Sequence, residues 1–285
     1  MMAMHGNLNP RTIICAMLAF AFLIPPWAGA ELVSPANLRT GAYNNLEYTN
    51  VTGNVLPYNL YLPVAYTPTS NLPFIVQVHG GGPIAKDKRG KGGSCKTYLE
   101  KNPSYSEAKF PCVLCEPIAN PDWCKSCWDE KGWNTGTHQH DMKNPPTGIS
   151  LILELVPRLL KDLGCDTNRC YVVGESNGGY ATWDLIIYRP DLFAAAVPIC
   201  GAGDPSKAGL ITGMPIWAFH GTADKWVPFS GTKDMIDALE ARGGKPKHTY
   251  IEGGDHHAWD PAWEDPELVP WLFSQTRAQQ TRARP

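Results

Sequence analysis

Gly174-Glu175-Ser176-Asn177-Gly178 sets one serine between glycines in the pattern G-x-S-x-G. It follows the β-branched run Tyr171-Val172-Val173 and precedes a segment, Gly179 to Tyr188, with helical character. A sharp strand-to-helix turn needs small residues on both sides of the serine, and it lifts the hydroxyl above the sheet edge. The helix start then offers backbone N–H groups to a developing oxyanion. The chemistry this turn can support is nucleophilic attack by Ser176, with the N–H of Asn177 as one oxyanion donor.

A serine hydroxyl needs a base. In this setting the acid and the histidine follow the serine in chain order. His220, His248, His256 and His257 are the histidines beyond Ser176. His256 and His257 lie in a loop, Gly253 to His257, after the last expected strand, where an imidazole can reach over the sheet edge. His220 ends a strand and reads as fixing a turn; His248 lies on a strand and reads as structural. Asp224 follows the expected strand Pro215 to Phe219 and is the expected acid, orienting the imidazole and stabilising its charged form. Asp255 neighbours His256, and adjacent side chains on an extended segment point apart. A second oxyanion donor is expected after the strand Phe74 to Val78, where His79-Gly80-Gly81-Gly82 begins; Gly81 is the expected residue.

The elements that must carry these groups alternate. Strands are expected at Leu56–Leu62, Phe74–Val78, Phe110–Cys115, Tyr171–Val173, Ala194–Ile199, Pro215–Phe219 and Lys247–Glu252. Helices are expected at Gly148–Leu163, with Pro157 kinking or splitting it, and at Gly179–Tyr188, Thr232–Ala241 and Pro266–Gln275. This order implies a mainly parallel sheet covered by helices on both faces. Residues 83–136 break the rhythm with Gly, Lys, Pro, Cys and Trp, and read as a Cys- and Trp-rich insertion. Trp123, Trp128 and Trp133 in it read either as core or as a flat substrate-binding surface.

Composition bounds the rest. The 285 residues suffice for one large domain, and a net charge of −2 gives no basic field for nucleic acid. Arg11, the apolar run Thr12 to Ile24 and the small triplet Ala28-Gly29-Ala30 have the layout of a secretory signal over residues 1–30. The catalytic domain is then expected over 31–276, with a polar tail at 277–285 and no stable membrane association. Asn50-Val51-Thr52 is a glycosylation sequon, usable where the host glycosylates secreted proteins. Cys95, Cys112, Cys115, Cys124, Cys127, Cys165, Cys170 and Cys200 follow the leader. An even count in an exported chain points to disulfides, Cys165 with Cys170 for instance; the paired C-x-x-C at 112–115 and 124–127 leaves zinc as the alternative. Cys200 reads as a buried free thiol or a partner of the insertion.

The stretch from Arg169 to Trp271 resembles secreted α/β-hydrolase esterases of the polyhydroxybutyrate depolymerase, feruloyl esterase and acetylxylan esterase group. The matching pieces are Tyr171 to Tyr180, Trp183-Asp184, Pro190 to Gly201, Trp217 to Gly221 with Asp224, and Asp255-His256-His257-Ala258-Trp259-Asp260. In that family a histidine stands three residues before the closing tryptophan, so Trp259 picks His256 over His257. The resemblance implies an α/β-hydrolase fold and a serine esterase without cofactor or metal. It also implies an ester substrate, with feruloyl, acetyl-polysaccharide or polyester compounds as the classes expected. It does not cover 83–136 well. Two other classes stay open: a serine peptidase of the same fold, and a non-catalytic binding protein with a zinc-bound Cys module. The sequence does not set an oligomeric state.

Overall fold

The computed structural model describes residues 32–81, 95–120 and 140–277. The expected signal, the tryptophans Trp123, Trp128 and Trp133, Cys124 and Cys127, and nearly all of the polar tail lie outside the described residues.

The frame is an eight-stranded sheet in the order β1-β2-β4-β3-β5-β6-β7-β8. The strands are β1 (Ala42–Thr49), β2 (Val55–Leu62), β3 (Phe74–Val78), β4 (Val113–Pro117), β5 (Cys170–Glu175), β6 (Ala195–Ile199), β7 (Trp217–Gly221) and β8 (Lys247–Ile251). β1 and β2 run antiparallel at one edge, and all the pairs from β4 to β8 are parallel. β3 and β5 are buried along their whole length, as strands covered on both faces must be. Alternation divides their side chains: Val76 and Val172 join the core on one face, Ile75 and Val173 the core on the other. Helices α2 (Thr147–Asp162), α3 (Asn177–Tyr188) and α4 (Ser230–Glu240) cover the first face. Helices α1 (Cys95–Lys101), α5 (Trp259–Glu264) and α6 (Leu268–Ser274) cover the second.

Chain order places the functional crevice. From β3 the chain moves to β4 on one side, then crosses to β5 on the other. The connections therefore diverge between β3 and β5, and open parallel sheets bind ligands at the carboxyl ends of strands where that happens. Gly80 follows one of these strands and Ser176 the other.

Two expectations need correction. The stretch 83–136 is not wholly an insertion, because β4 is an interior strand of the sheet and α1 packs on it. The helix over 147–162 runs unbroken through Pro157. The lost N–H falls on a half-buried side, while Ile149, Ile152, Val156 and Leu160 stay packed in the core. The expected closing helix is α6, and a further short helix, α5, precedes it.

The described cysteines Cys95, Cys112, Cys115, Cys165, Cys170 and Cys200 are all buried free thiols, so the pair expected between Cys165 and Cys170 is not bonded. Cys112 and Cys115 lie in the cores of opposite faces and cannot serve one metal together. Among the described residues no helix is long and apolar enough to cross a membrane.

Candidate active site

Ser176 sits between β5 and α3 with φ 55° and ψ −119°, a conformation that costs a non-glycine residue of order 1–3 kcal/mol. The flanking glycines make the turn possible. A Cβ on Gly178 would lie 1.8 Å from the carbonyl oxygen of Val78, and one on Gly174 would lie 2.3 Å from that of Gly178. The elbow thus packs against the end of β3 at a distance no side chain permits.

The expected partners converge on the serine from two other strand ends. His256 Nε2 lies 2.8 Å from Ser176 Oγ, and His256 Nδ1 lies 2.7 Å from Asp224 Oδ2. His256 comes from the loop after β8, and Asp224 from the turn after β7. The Asp224 side chain has no exposed surface and that of His256 is 14% exposed. Burial alone would raise the Asp224 carboxyl. Hydrogen bonds from His256 and from the Val227 and Trp226 amides outweigh it and hold the group below its ordinary value. An ionised carboxylate on Nδ1 fixes the tautomer that leaves Nε2 free to take a proton from the serine. His257 points elsewhere. Its side chain is 66% exposed and pairs loosely with Asp255.

His220 has a larger part than a simple turn residue. Its ring is fully buried, Nε2 lies 3.1 Å from the Val227 carbonyl and 3.2 Å from Asp224 Oδ2, and Nδ1 lies 2.7 Å from Thr232 Oγ1. Burial lowers its pKa and keeps it neutral. It braces the loop that holds the acid. The partners are 4, 7 and 12 residues away, in a loop and a helix start that no local pattern ties to His220. His248 stacks on Tyr250 along β8, in keeping with a structural place.

The glycine loop after β3 is tied down on three sides. The Gly80 N–H reaches Glu175 Oε1 at 3.3 Å, so that N–H is committed to the carboxylate. His79 accepts the Ala119 N–H on Nε2, which leaves Nδ1–H to donate to the Gly80 carbonyl at 2.8 Å. Burial lowers the His79 pKa and keeps the ring neutral in that role. The Asn177 side-chain amide donates to the Gly81 carbonyl at 2.8 Å. Asn177 therefore links the start of α3 to the loop that carries Gly81.

Cys200, Asp224 and His256 have possible ligand atoms within 4.8 Å of one another. The fit to a metal is poor. His256 Nδ1 and Asp224 Oδ2 are committed to each other, and burial pushes the Cys200 thiol upward, away from the thiolate a metal needs.

A strained serine turn, a histidine and a buried carboxylate at the carboxyl ends of parallel strands define the serine-hydrolase class of the α/β-hydrolase fold. The chain belongs to the Esterase family: that family's model, described as "Putative esterase", matches residues 49–283. It is similar to "Putative esterase NocK" of Nocardia uniformis subsp. tsuyamanensis, at 24% identity over 178 residues, covering 60% of this chain and 48% of that protein. It is also similar to "Acyl-protein thioesterase 1" of Eremothecium gossypii, at 26% identity over 204 residues, covering 66% of this chain and 83% of that one. Among solved structures, a thermostable esterase superposes with a TM-score of 0.71 and 31% identity, over 82% of this chain and 63% of the other. A structure titled as a dipeptidyl aminopeptidase IV from Bacteroides ovatus shares the fold alone, at 16% identity and a TM-score of 0.57. The chain spans about half the length of the Nocardia relative.

Proposed function

We propose that this chain is a serine esterase that cleaves carboxylic esters through an acyl-enzyme on Ser176. The observation that carries the reading is the continuous chain Ser176 Oγ–His256–Asp224, with links of 2.8 and 2.7 Å. His256 takes the Ser176 proton as Oγ attacks the ester carbonyl, and Asp224 stabilises the imidazolium that forms. The N–H groups of Asn177 and Gly81 hold the oxyanion of the tetrahedral intermediate. His256 then returns the proton to the leaving alcohol, and the acyl group stays on Ser176. Water, activated by the same imidazole, releases the acid and restores the hydroxyl.

The substrates we propose are feruloyl, acetyl-polysaccharide or polyester compounds, met outside the cell after export. The family, and relatives named as an esterase and a thioesterase, support ester cleavage. An exposed aromatic beside the acid supports a ring-bearing or polymeric substrate. Trp226 is 76% exposed, two residues after Asp224, and its N–H holds the Asp224 carboxylate at 2.8 Å. A flat ring displayed there offers sugars or aromatic acyl groups a stacking surface. Trp123, Trp128 and Trp133 are proposed as further contacts. The test is hydrolysis of a panel of acetyl, feruloyl and hydroxybutyrate esters with matched peptide amides. Turnover of one or more esters with none of the amides is expected; turnover of amides alone contradicts the reading.

A further inference from the structure

The residue in the x position of the serine turn, Glu175, is buried, although the proposed proton relay makes no use of it. Its carboxylate accepts the Gly80 N–H at 3.3 Å and the Gln77 side-chain amide at 3.1 Å. Gln77 and Glu175 lie on the same face of the sheet at the carboxyl ends of β3 and β5, beside the crevice where the two connections diverge. The loop and the elbow touch at this point. A Cβ on Gly80 would lie 2.8 Å from the Glu175 carbonyl oxygen and 3.0 Å from Ser176 Cβ. Such contact fixes distance but not the rotation of the Gly80–Gly81 peptides. Rotation is fixed by hydrogen bonds: Glu175 holds the His79–Gly80 peptide at its N–H, and His79 holds the Gly80–Gly81 peptide at its carbonyl.

We infer that Glu175 is a positioning residue for the oxyanion site: by holding the Gly80 N–H it turns the next peptide so that the Gly81 N–H faces the carbonyl under attack by Ser176. The inference rests on the serine-esterase reading above. Two further ties serve the same loop, from His79 to the Gly80 carbonyl and from Asn177 to the Gly81 carbonyl. Glu175 and Asn177 thus tie the loop to the residues on either side of the nucleophile, Glu175 at the Gly80 N–H and Asn177 at the Gly81 carbonyl. Loop and nucleophile then move as one body, as a preorganised oxyanion site requires. A glutamate fits here because its two carboxyl oxygens can accept from Gly80 and Gln77 together.

The test combines ester kinetics with binding of an arylboronic acid, which forms a tetrahedral adduct on a serine nucleophile. Glu175→Ala is expected to lower kcat by about 100-fold, as loss of one oxyanion donor does, with KM changed by no more than about twofold. Boronic-acid affinity should fall by a similar factor. In Glu175→Gln the neutral amide faces the Gln77 amide and holds Gly80 less firmly, so a loss of about tenfold in both quantities is expected. A folded variant of either kind with wild-type kcat overturns the proposal. So does a loss of kcat with unchanged boronic-acid affinity, the mark of a merely structural role. If Glu175→Ala does not fold, Glu175→Gln carries the same comparison. Failure of the underlying reading looks different: the wild-type protein itself would not bind the boronic acid at Ser176.

Discussion

The ring of Trp259 stands edge-on to His256, with centroids 5.6 Å apart and planes at 90°. A tryptophan three residues after the base therefore walls one side of the imidazole whose two nitrogens reach Ser176 and Asp224. The neighbouring His257 also touches Trp259, at 4.7 Å, but from the solvent side. One aromatic thus separates two adjacent histidines into an inner and an outer position.

This separation predicts unequal variants. His256→Ala should lose on the order of 10³-fold or more in kcat, as removal of a relay member does. His257→Ala should stay within about threefold of wild type, the range of a surface change that touches no reacting group. Steady-state kinetics of both on one soluble ester decide it. An inactive His257→Ala beside an active His256→Ala would reverse the two roles.

Trp226 predicts a change in binding with intact chemistry. Trp226→Ala should raise KM about tenfold for a feruloyl or polysaccharide ester, the scale of one lost stacking contact, and spare a small acetate ester. Equal kcat/KM on every substrate, in wild type and variant, would leave the exposed ring without a part in recognition. The Asp224 loop contact runs through the Trp226 backbone amide, which alanine keeps, so the acid should stay in place.

Glu175 predicts a pH dependence of stability. Burial pushes its pKa from 4.5 up to about 7, against the opposing hydrogen bonds from Gly80 and Gln77. The folded protein thus holds this proton more tightly than the unfolded chain does. The contribution is fully present below about pH 4.5 and is lost as pH rises towards 7, by on the order of 3 kcal/mol. Glu175→Gln removes the titrating group. Denaturant unfolding of both proteins at pH 5 and pH 8 should show the variant gaining stability relative to wild type at the higher pH. A difference that does not move with pH contradicts the shifted carboxyl. The comparison also cancels the buried neutral rings of His79 and His220, whose lowered pKa values act in the opposite sense.

Much of this arrangement was legible because its signals are local. β3, β5 and β7 are short buried apolar runs, each followed within a few residues by a group with chemical potential: Gly81, Ser176 and Asp224. β1 was not legible. It is an edge strand containing Asn44 and Asn45, with weak alternation, and the Asn44 side chain holds it by bonding the carbonyls of Arg39 and Leu60. β4 was legible as a strand among cysteines and prolines, but its bounds shift from the expected Phe110–Cys115 to Val113–Pro117, because Pro111 has no N–H for a ladder. At the site, the relay could be read from order along the chain. The supports could not: Glu175 to Gly80 spans 95 residues and His79 to Ala119 spans 40, and no local pattern encodes such pairs.

The central claim is that Ser176 is the nucleophile, and covalent labelling tests it most directly. The protein is treated with a fluorophosphonate, digested, and mapped by mass spectrometry, with Ser176→Ala in parallel. One label per chain on the peptide carrying Ser176 is expected, together with loss of ester turnover in proportion to labelling and no label on a folded Ser176→Ala. Label at another residue, or ester turnover near wild type in folded Ser176→Ala, would contradict the account.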